Sequence, residues 1–425
     1  MQYIWKFRLW PVGSLRTTDG RLVDVIDAGT LNTGSGPDFF FNAKVEIDGE
    51  YWAGSVEIHV SARDWYRHGH DTDPAYDNVV LHVVLTDDGV VRRRTDGTVI
   101  PQVVMPGVDT FRRRLAELLS DPFSDLPCAG SVATMAPIVV HDWMTALAME
   151  RLQSKSDAIL DMVRHFRGDW RNAIFVTLAR GMGFGSNADA MEQLARSVPL
   201  QTILRHSDDR RAMEAILLGL AGFLHLSDPR DDYERRLVVD WNFYSTKFSL
   251  SATNVPAWQT RCRPGNHPAR RVAMLAGMLT DGFSYASQIL DIDAADNLGR
   301  LFRIPAGEYW QTHIAPGVCS ERLGAVLGES SRDLLCVNVI APVLYAYGES
   351  TGAISRCELA VDILTALKPE HNSVIRPFLA AGMECRDAFT SQALLQLRRN
   401  YCLAHKCLYC RLGHSLLKRA TVHSA

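Results

Sequence analysis

The feature that most constrains this chain is a change of hydrophobic period partway along it. Through roughly the first hundred residues apolar side chains come in short strand-like runs separated by turn residues, whereas from about His141 onward they recur at helical spacing. The helical stretches are HDWMTALAMERLQSKSDAILDMVRHF, RNAIFVTLARG, AMEQLARSV, RRAMEAILLGLAGFLHL and ARRVAMLAGML, with Leu, Ala and Met gathered on one face and no regular repeat period. A sheet-forming segment followed by a helix-forming one predicts an α+β protein. With 425 residues, 47% of them hydrophobic, the chain can bury two or three cores, which excludes one small domain.

Within the first segment, QYIWKFRL reads as a short helix, RLVDVID as a strand and LNTGSGP as a glycine-rich loop. Residues 40–47 and 51–60 are two strands around Asp48-Gly49, a strong hairpin signal because a two-residue turn needs positive φ at both positions. DWYRHGHD is a partly helical crossover, and NVVLHVVL is apolar on both faces, as a buried parallel strand is. The order helix, three strands, crossover, strand specifies a mixed sheet. The expected boundaries are an α/β domain over 1–107, a linker over 108–140, a helical domain over 141–400 and a cysteine-rich knuckle over 401–425.

Candidate chemistry begins on the hairpin, in GPDFFFNAKVEIDGEYWAGSVEIHV. Strand alternation puts Glu57 and His59 on one face, and hairpin pairing sets Asp38 across from His59 or Val60. If the faces coincide, Asp38, Glu57 and His59 converge. Two carboxylates on neighbouring strands make a hard-oxygen site for Mg²⁺ or Mn²⁺, able to polarise a phosphate and generate hydroxide. Asp64, His68, His70, Asp73, Asp77 and His82 follow closely. His68-Gly69-His70 has the H-x-H spacing of a metal-binding pair, so a histidine-rich site for Zn, Fe or Mn, on a cupin-like fold, is the competing expectation. A single histidine is ordinarily a surface or satisfied core residue; the cluster is the signal.

Pro37-Asp38 followed by Glu57-Ile58-His59, in this order of elements, resembles the core of the PD-(D/E)XK nuclease superfamily. The resemblance implies a PD-(D/E)XK-like domain with Asp38 and Glu57 as metal ligands and His59 standing where the superfamily has a lysine. A neutral imidazole does not supply the fixed charge of an ammonium. Lys44 has the parity of a migrated lysine but lies too far along its strand. The implied activity is divalent-metal-dependent hydrolysis of nucleic-acid phosphodiesters; the alternative is a non-catalytic nucleic-acid or partner binder on a degenerate nuclease fold. The whole chain also resembles a bacterial family, domain of unknown function 2851, through QYIWKFRL, GPDFF, NAKVEI, GSVEIHV, DWYRHGHDTDPAYDNVVLHVV, RPGNHPARRVAMLA and NYCLAHKCLYCRLGHSLLK.

The nine cysteines are an odd number and bunch at the C-terminal end, which suits reduced thiols or metal ligands better than a disulfide framework. Cys402, Cys407 and Cys410 form C-x4-C-x2-C, a knuckle for Zn²⁺ or an iron–sulfur cluster, with sulfurs expected about 4 Å apart around zinc. His414, Cys385 or Cys128 is the fourth ligand; Cys128 is favoured because it would pin the C-terminus to the segment joining the domains.

The net charge of −3 gives no global basic field, so nucleic-acid contact needs a local patch. Arg261, Arg263, Arg270 and Arg271 collect at a helix start where guanidinium groups can grip phosphates, or be ion-paired instead. Gly181, Gly183 and Gly185 follow a helical run, which marks a helix C-cap rather than a phosphate loop. Ser350 in GESTG lacks the surrounding sheet of a nucleophile elbow. Lys6 and Arg8 interrupt the apolar N-terminus, and the apolar runs over 215–226 and 334–347 are too short for a membrane span, so a cytoplasmic protein is expected.

Overall fold

A computed structural model describes residues 1–10, 13–32, 39–120, 126–252, 257–296 and 298–422. The chain divides into two compact units: Met1–Trp143, Ala380–Met383 and Leu397–Ala425 form one, Met144–Leu379 and Glu384–Gln396 the other.

The first unit is built on a mixed sheet of six strands. After helix α1 (Gln2–Lys6) come β1 (Val23–Asp27), β2 (Thr30–Leu31), β3 (Phe39–Ile47) and β4 (Glu50–Ser61). A crossover carrying α2 (Asp64–Arg67) leads to β5 (Val79–Thr86), and β6 (Gln102–Val104) closes the sheet in the order β1-β3-β4-β5-β6, with β2 beside β3. The hairpin forms as the sequence demands: Ile47 pairs with Glu50, and Asp48 and Gly49 both take positive φ, 53° and 87°. A bulge between Phe40 and Ala43, with Asn42 at φ 54°, then slips the register by one, so that Phe39 faces Glu57.

β5 lies parallel to both β4 and β6 and is buried along its first six residues, as its apolar run predicts. One face of the sheet carries Phe40, Val45, Val56, Leu81, Val83 and Val103 into a core shared with Trp5 of α1 and Phe111 of α3 (Val108–Leu118). Leu417 of the C-terminal helix Arg411–Val422 joins the same core. Residues 108–140, expected as a linker, therefore contain an amphipathic helix that helps cover the sheet, and residues 401–425 group with the sheet unit rather than standing apart. A separate buried cluster joins Val79 of β5 to Trp65, Tyr76, Val91 and Ile100.

The second unit is mainly helical. Helices Trp170–Met182, Ala188–Arg196, Arg210–Leu220 and Pro268–Met278 occupy the stretches whose periodicity predicts them, and Pro137–His165 runs into this unit from the first. Asp169, Asp209 and Asp231 each cap a helix by accepting backbone N–H groups. Gly183 is a helix C-cap, and Ser350 lies within helix Ala341–Thr351. A two-stranded ribbon, His313–Ala315 with Val318–Cys319, is the one sheet element here among the described residues. No described helix is long and apolar enough to cross a membrane.

Candidate metal centre

Pairing across three adjacent strands sets Glu57 opposite His82, and His82 opposite Gln102, so one face carries a row of polar residues inside the sheet. His59 stands two residues beyond Glu57 on the same face of β4. All four are buried. The crossover over residues 62–78 returns above this row and brings His68 and His70 down to it. His70 stacks on Tyr76 at 3.7 Å between ring centroids, with the edge of Trp65 at 5.5 Å.

Hydrogen bonding fixes which nitrogens are available. Gln102 donates from Nε2 to Asp87 Oδ1 at 2.7 Å and to the Gly89 carbonyl at 3.3 Å, so its Oε1 is an acceptor. His82 therefore donates from Nδ1 to Gln102 at 2.9 Å. Burial pushes His82 down to about 4, and burial aided by the imidazoles of His82, His70 and His68 pushes His59 down to about 3, so both rings are neutral near pH 7. A neutral His82 with its proton on Nδ1 accepts at Nε2, 2.9 Å from His59 Nδ1. His59 thus carries its proton on Nδ1 and a lone pair on Nε2.

That lone pair points into a cluster of donors. Glu57 Oε1 and His68 Nδ1 are each 3.4 Å from His59 Nε2. Ligand atoms of His59, His68 and His70 all lie within 4.8 Å of one another, the only such group of three or more His, Cys, Asp or Glu among the described residues. Two ligands at 2.0–2.1 Å on a tetrahedral ion stand about 3.3 Å apart, close to the spacing found. The chain Asp87–Gln102–His82–His59 has the form of an outer shell that orients a metal-binding imidazole.

Among the expected ligands, Glu57, His59, His68 and His70 come together, and His82 acts one bond behind them. Asp38 lies outside the described residues. Phe40 pairs with Val56 and is buried in the core of the other face. The hard site of two carboxylates consequently has only Glu57 among the described residues. Lys44, opposite Ala53 and exposed, lies well down the strand from Glu57. The neighbouring acids are engaged structurally: Asp64 accepts from Ser61 N and pairs with Arg67, Asp73 caps the turn at Ala75, and Asp77 pairs with Arg94. The cupin-like alternative finds its histidines but not its fold, since the six described strands here form one open mixed sheet.

A cleft of about 750 Å³ in the sheet unit reaches His59. Its lining includes Lys6, Arg112 and Arg411, with Tyr3, Phe7 and Tyr409. Arg411 also pairs with Asp142 and lies 5.1 Å from the ring of Trp143. Gln102, Asp87 and these cleft residues escape sequence reasoning; only the polar Gln102 between apolar neighbours in IPQVVMP marks a buried role.

The predicted arginine patch is corrected in part. Arg261 and Arg263 are exposed, but Arg270 is buried and donates to the carbonyls of Trp310 at 3.0 Å, Gly265 at 3.1 Å and Gly324. Arg271 is buried over the ring of Phe184 at 4.6 Å. Both hold their own fold together and are not placed to grip a phosphate.

Cys128, Cys402, Cys407 and Cys410, all free thiols, line one small cavity of about 20 Å³. Burial, and then the neighbouring thiols, push Cys128 up to about 12 and raise Cys402 and Cys407 too. For Cys410 burial also leads, while the N–H groups of Gly413 and Leu412 and the indole of Trp143 oppose it.

A family model described as a protein of unknown function, DUF2851, matches residues 1–373. The chain belongs to this DUF2851 family. The matched span contains the whole sheet with Glu57, His59, His68, His70 and His82, as well as Cys128; Cys402, Cys407 and Cys410 follow it. No curated protein and no solved structure matches the chain significantly.

Proposed function

We propose that this DUF2851 protein is a metal-dependent phosphodiesterase acting on nucleic acid, with its ion held by His59, His68 and His70 beside Glu57. The observation that carries this is the lone pair of His59 Nε2, whose tautomer the Gln102–His82 relay determines and which faces Glu57 Oε1 and His68 Nδ1 at 3.4 Å. Glu57 Oε1 and this lone pair are two donor atoms that face each other closely enough to serve one ion. An imidazole-rich donor set favours Zn²⁺ or a similar first-row transition ion over Mg²⁺.

A divalent ion there would polarise a phosphoryl oxygen and lower the pKa of a bound water. Glu57, beside the metal-binding nitrogen of His59, is the group to accept the proton of that water. Lys6 and Arg112 on the cleft wall offer charge to phosphates, and Tyr3, Phe7 and Tyr409 offer ring faces to bases. The hairpin followed by a parallel strand agrees with the nuclease resemblance, with a crossover helix reduced to the single turn of α2. Free thiols on every described cysteine agree with a reducing, cytoplasmic setting.

The test is cleavage of labelled single- and double-stranded DNA and RNA by protein loaded with Zn²⁺, Mn²⁺ or Mg²⁺. His59→Ala and His70→Ala should each lower bound transition metal and reduce cleavage by 100-fold or more, on the order of what loss of a metal or its water-activating group costs. Binding without cleavage under every metal would instead make the chain a nucleic-acid binder.

A further inference from the structure

We infer that Cys128, Cys402, Cys407 and Cys410 together hold a single structural zinc ion, a second centre independent of the histidine site and of the phosphodiesterase proposal. Four free thiols from distant parts of the chain, all within the sheet unit, line one cavity. The chain turns back between Cys402 and Cys407 through His405, at φ 47°, and again between Cys407 and Cys410, where Cys410 N donates to the Cys407 carbonyl at 3.3 Å. The other fourth-ligand candidates fall away. His414 Nδ1 is 2.7 Å from Tyr3 Oη and lines the large cleft instead, and Cys385 Sγ is 3.3 Å from Ser391 Oγ in the helical unit.

Size selects a single ion. The cavity of about 20 Å³ has room for one small occupant, and a water there would need two to four good hydrogen-bond partners, which thiols do not provide. A zinc ion takes four thiolates in a closed tetrahedral site that leaves no position for substrate, so its role is structural. Around zinc, at bonds of about 2.3 Å, the sulfurs stand about 3.8 Å apart. No three of these sulfurs lie within 4.8 Å of one another, so binding draws them inward, a movement that a change of cysteine rotamer supplies.

The surroundings suit a metal-bound thiolate. The backbone N–H groups of Leu412 and Gly413, at the start of helix Arg411–Val422, and the indole N–H of Trp143 are all directed at the sulfur of Cys410. A neutral thiol is a weak acceptor for three donors, whereas a thiolate accepts charge-assisted hydrogen bonds from them. Gly413 packs so tightly on the knuckle that an added Cβ would meet the Cys407 carbonyl oxygen at 2.2 Å. The turn from Cys407 to the helix is therefore closely defined. An ion here would tie Cys128 to the start of the helix whose Leu417 enters the sheet core.

The test begins with the full-length protein carrying both His59→Ala and His70→Ala, which takes the histidine site out of the count. It should still contain about one zinc per chain and no acid-labile sulfide. Grown with Co²⁺ in place of zinc, it should show the thiolate-to-cobalt charge-transfer absorption and the strong visible bands of a tetrahedral four-sulfur site. Cys128→Ser and Cys407→Ser should each lower bound metal several-fold, while Cys385→Ser retains it. Where a variant fails to fold, the Co²⁺ spectrum of the wild-type protein decides, because the histidine site contains no thiolate. Absence of the charge-transfer band, iron with sulfide in place of zinc, a disulfide among the four cysteines, or full zinc content in folded Cys128→Ser would overturn the inference. The thiolate band and the histidine variants report on separate ligands, so failure of one proposal is distinguishable from failure of the other.

Discussion

At the scale of single residues, the histidine site turns on one proton position set three residues away. Gln102 has its amide oriented by Asp87 and Gly89, and that orientation passes through His82 to leave the lone pair of His59 on Nε2. Gln102→Leu keeps the volume but removes the acceptor, so affinity for Zn²⁺ should fall about 10–100-fold, as loss of outer-shell partners does, measured by competition with a chelator. An unchanged affinity would show that the relay does not orient the ligand. The same burial makes the metal-free protein pH-sensitive. His59 and His82 have folded values of about 3 and about 4, against 6.5 when unfolded, so the unfolded chain binds more protons between those limits. Their contribution to stability is fully present above pH 6.5 and is lost as pH falls through that window. In EDTA, the urea midpoint should drop steadily from pH 7 to pH 4, and His82→Gln should flatten the slope. Clustering in sequence pointed to these histidines; the relay behind them joins residues 15 to 23 positions apart and is visible only once β4, β5 and β6 are neighbours.

At the scale of elements, two glycines show how local and tertiary causes differ. Gly49 has φ +87° and nothing within 4 Å of an added Cβ, so Gly49→Ala should cost only the backbone conformational penalty, about 1 kcal/mol in denaturant unfolding. Gly413 lacks positive φ, yet an added Cβ would strike the Cys407 backbone. Gly413→Ala should cost about 2 kcal/mol or more in denaturant unfolding, because the helix must shift away from the knuckle. The first cost is readable from Asp-Gly between two apolar runs; nothing in the spacing of Cys407 and Gly413 announces the second. The strand β5 was legible as a buried parallel strand because both of its faces are apolar. β6 was not, since three residues after a proline carry too little pattern to read. The bulge between Phe40 and Ala43 also escaped, and it matters most, because a one-residue slip decides which residues of β3 face Glu57.

At the scale of the whole molecule, the C-terminal residues rejoin the unit that the N-terminal residues begin. Leu417 is buried in the sheet core with Trp5, Phe40 and Phe111. Leu417→Ala should therefore destabilise the sheet unit by about 2–5 kcal/mol, read as a lower melting transition of that unit. A chain ending at residue 396 should bind the hydrophobic dye ANS strongly while keeping most of its helical circular dichroism; weak dye binding would show that the tail does not complete the core. Sequence alone determined what depends on neighbours in the chain: the change from strand to helix period, the hairpin turn, the parallel-strand signature of NVVLHVVL, the helical stretches, and the residue types able to bind metal. Only tertiary structure decided what depends on distant segments meeting: that residues 108–118 cover the sheet, that Arg270 is buried among carbonyls and Arg271 over the ring of Phe184, that three histidines close around one point, and that Cys128 lines one cavity with Cys402, Cys407 and Cys410. Periodicity is written by local backbone geometry, whereas a ligand set is made by chain crossings whose geometry no local pattern encodes.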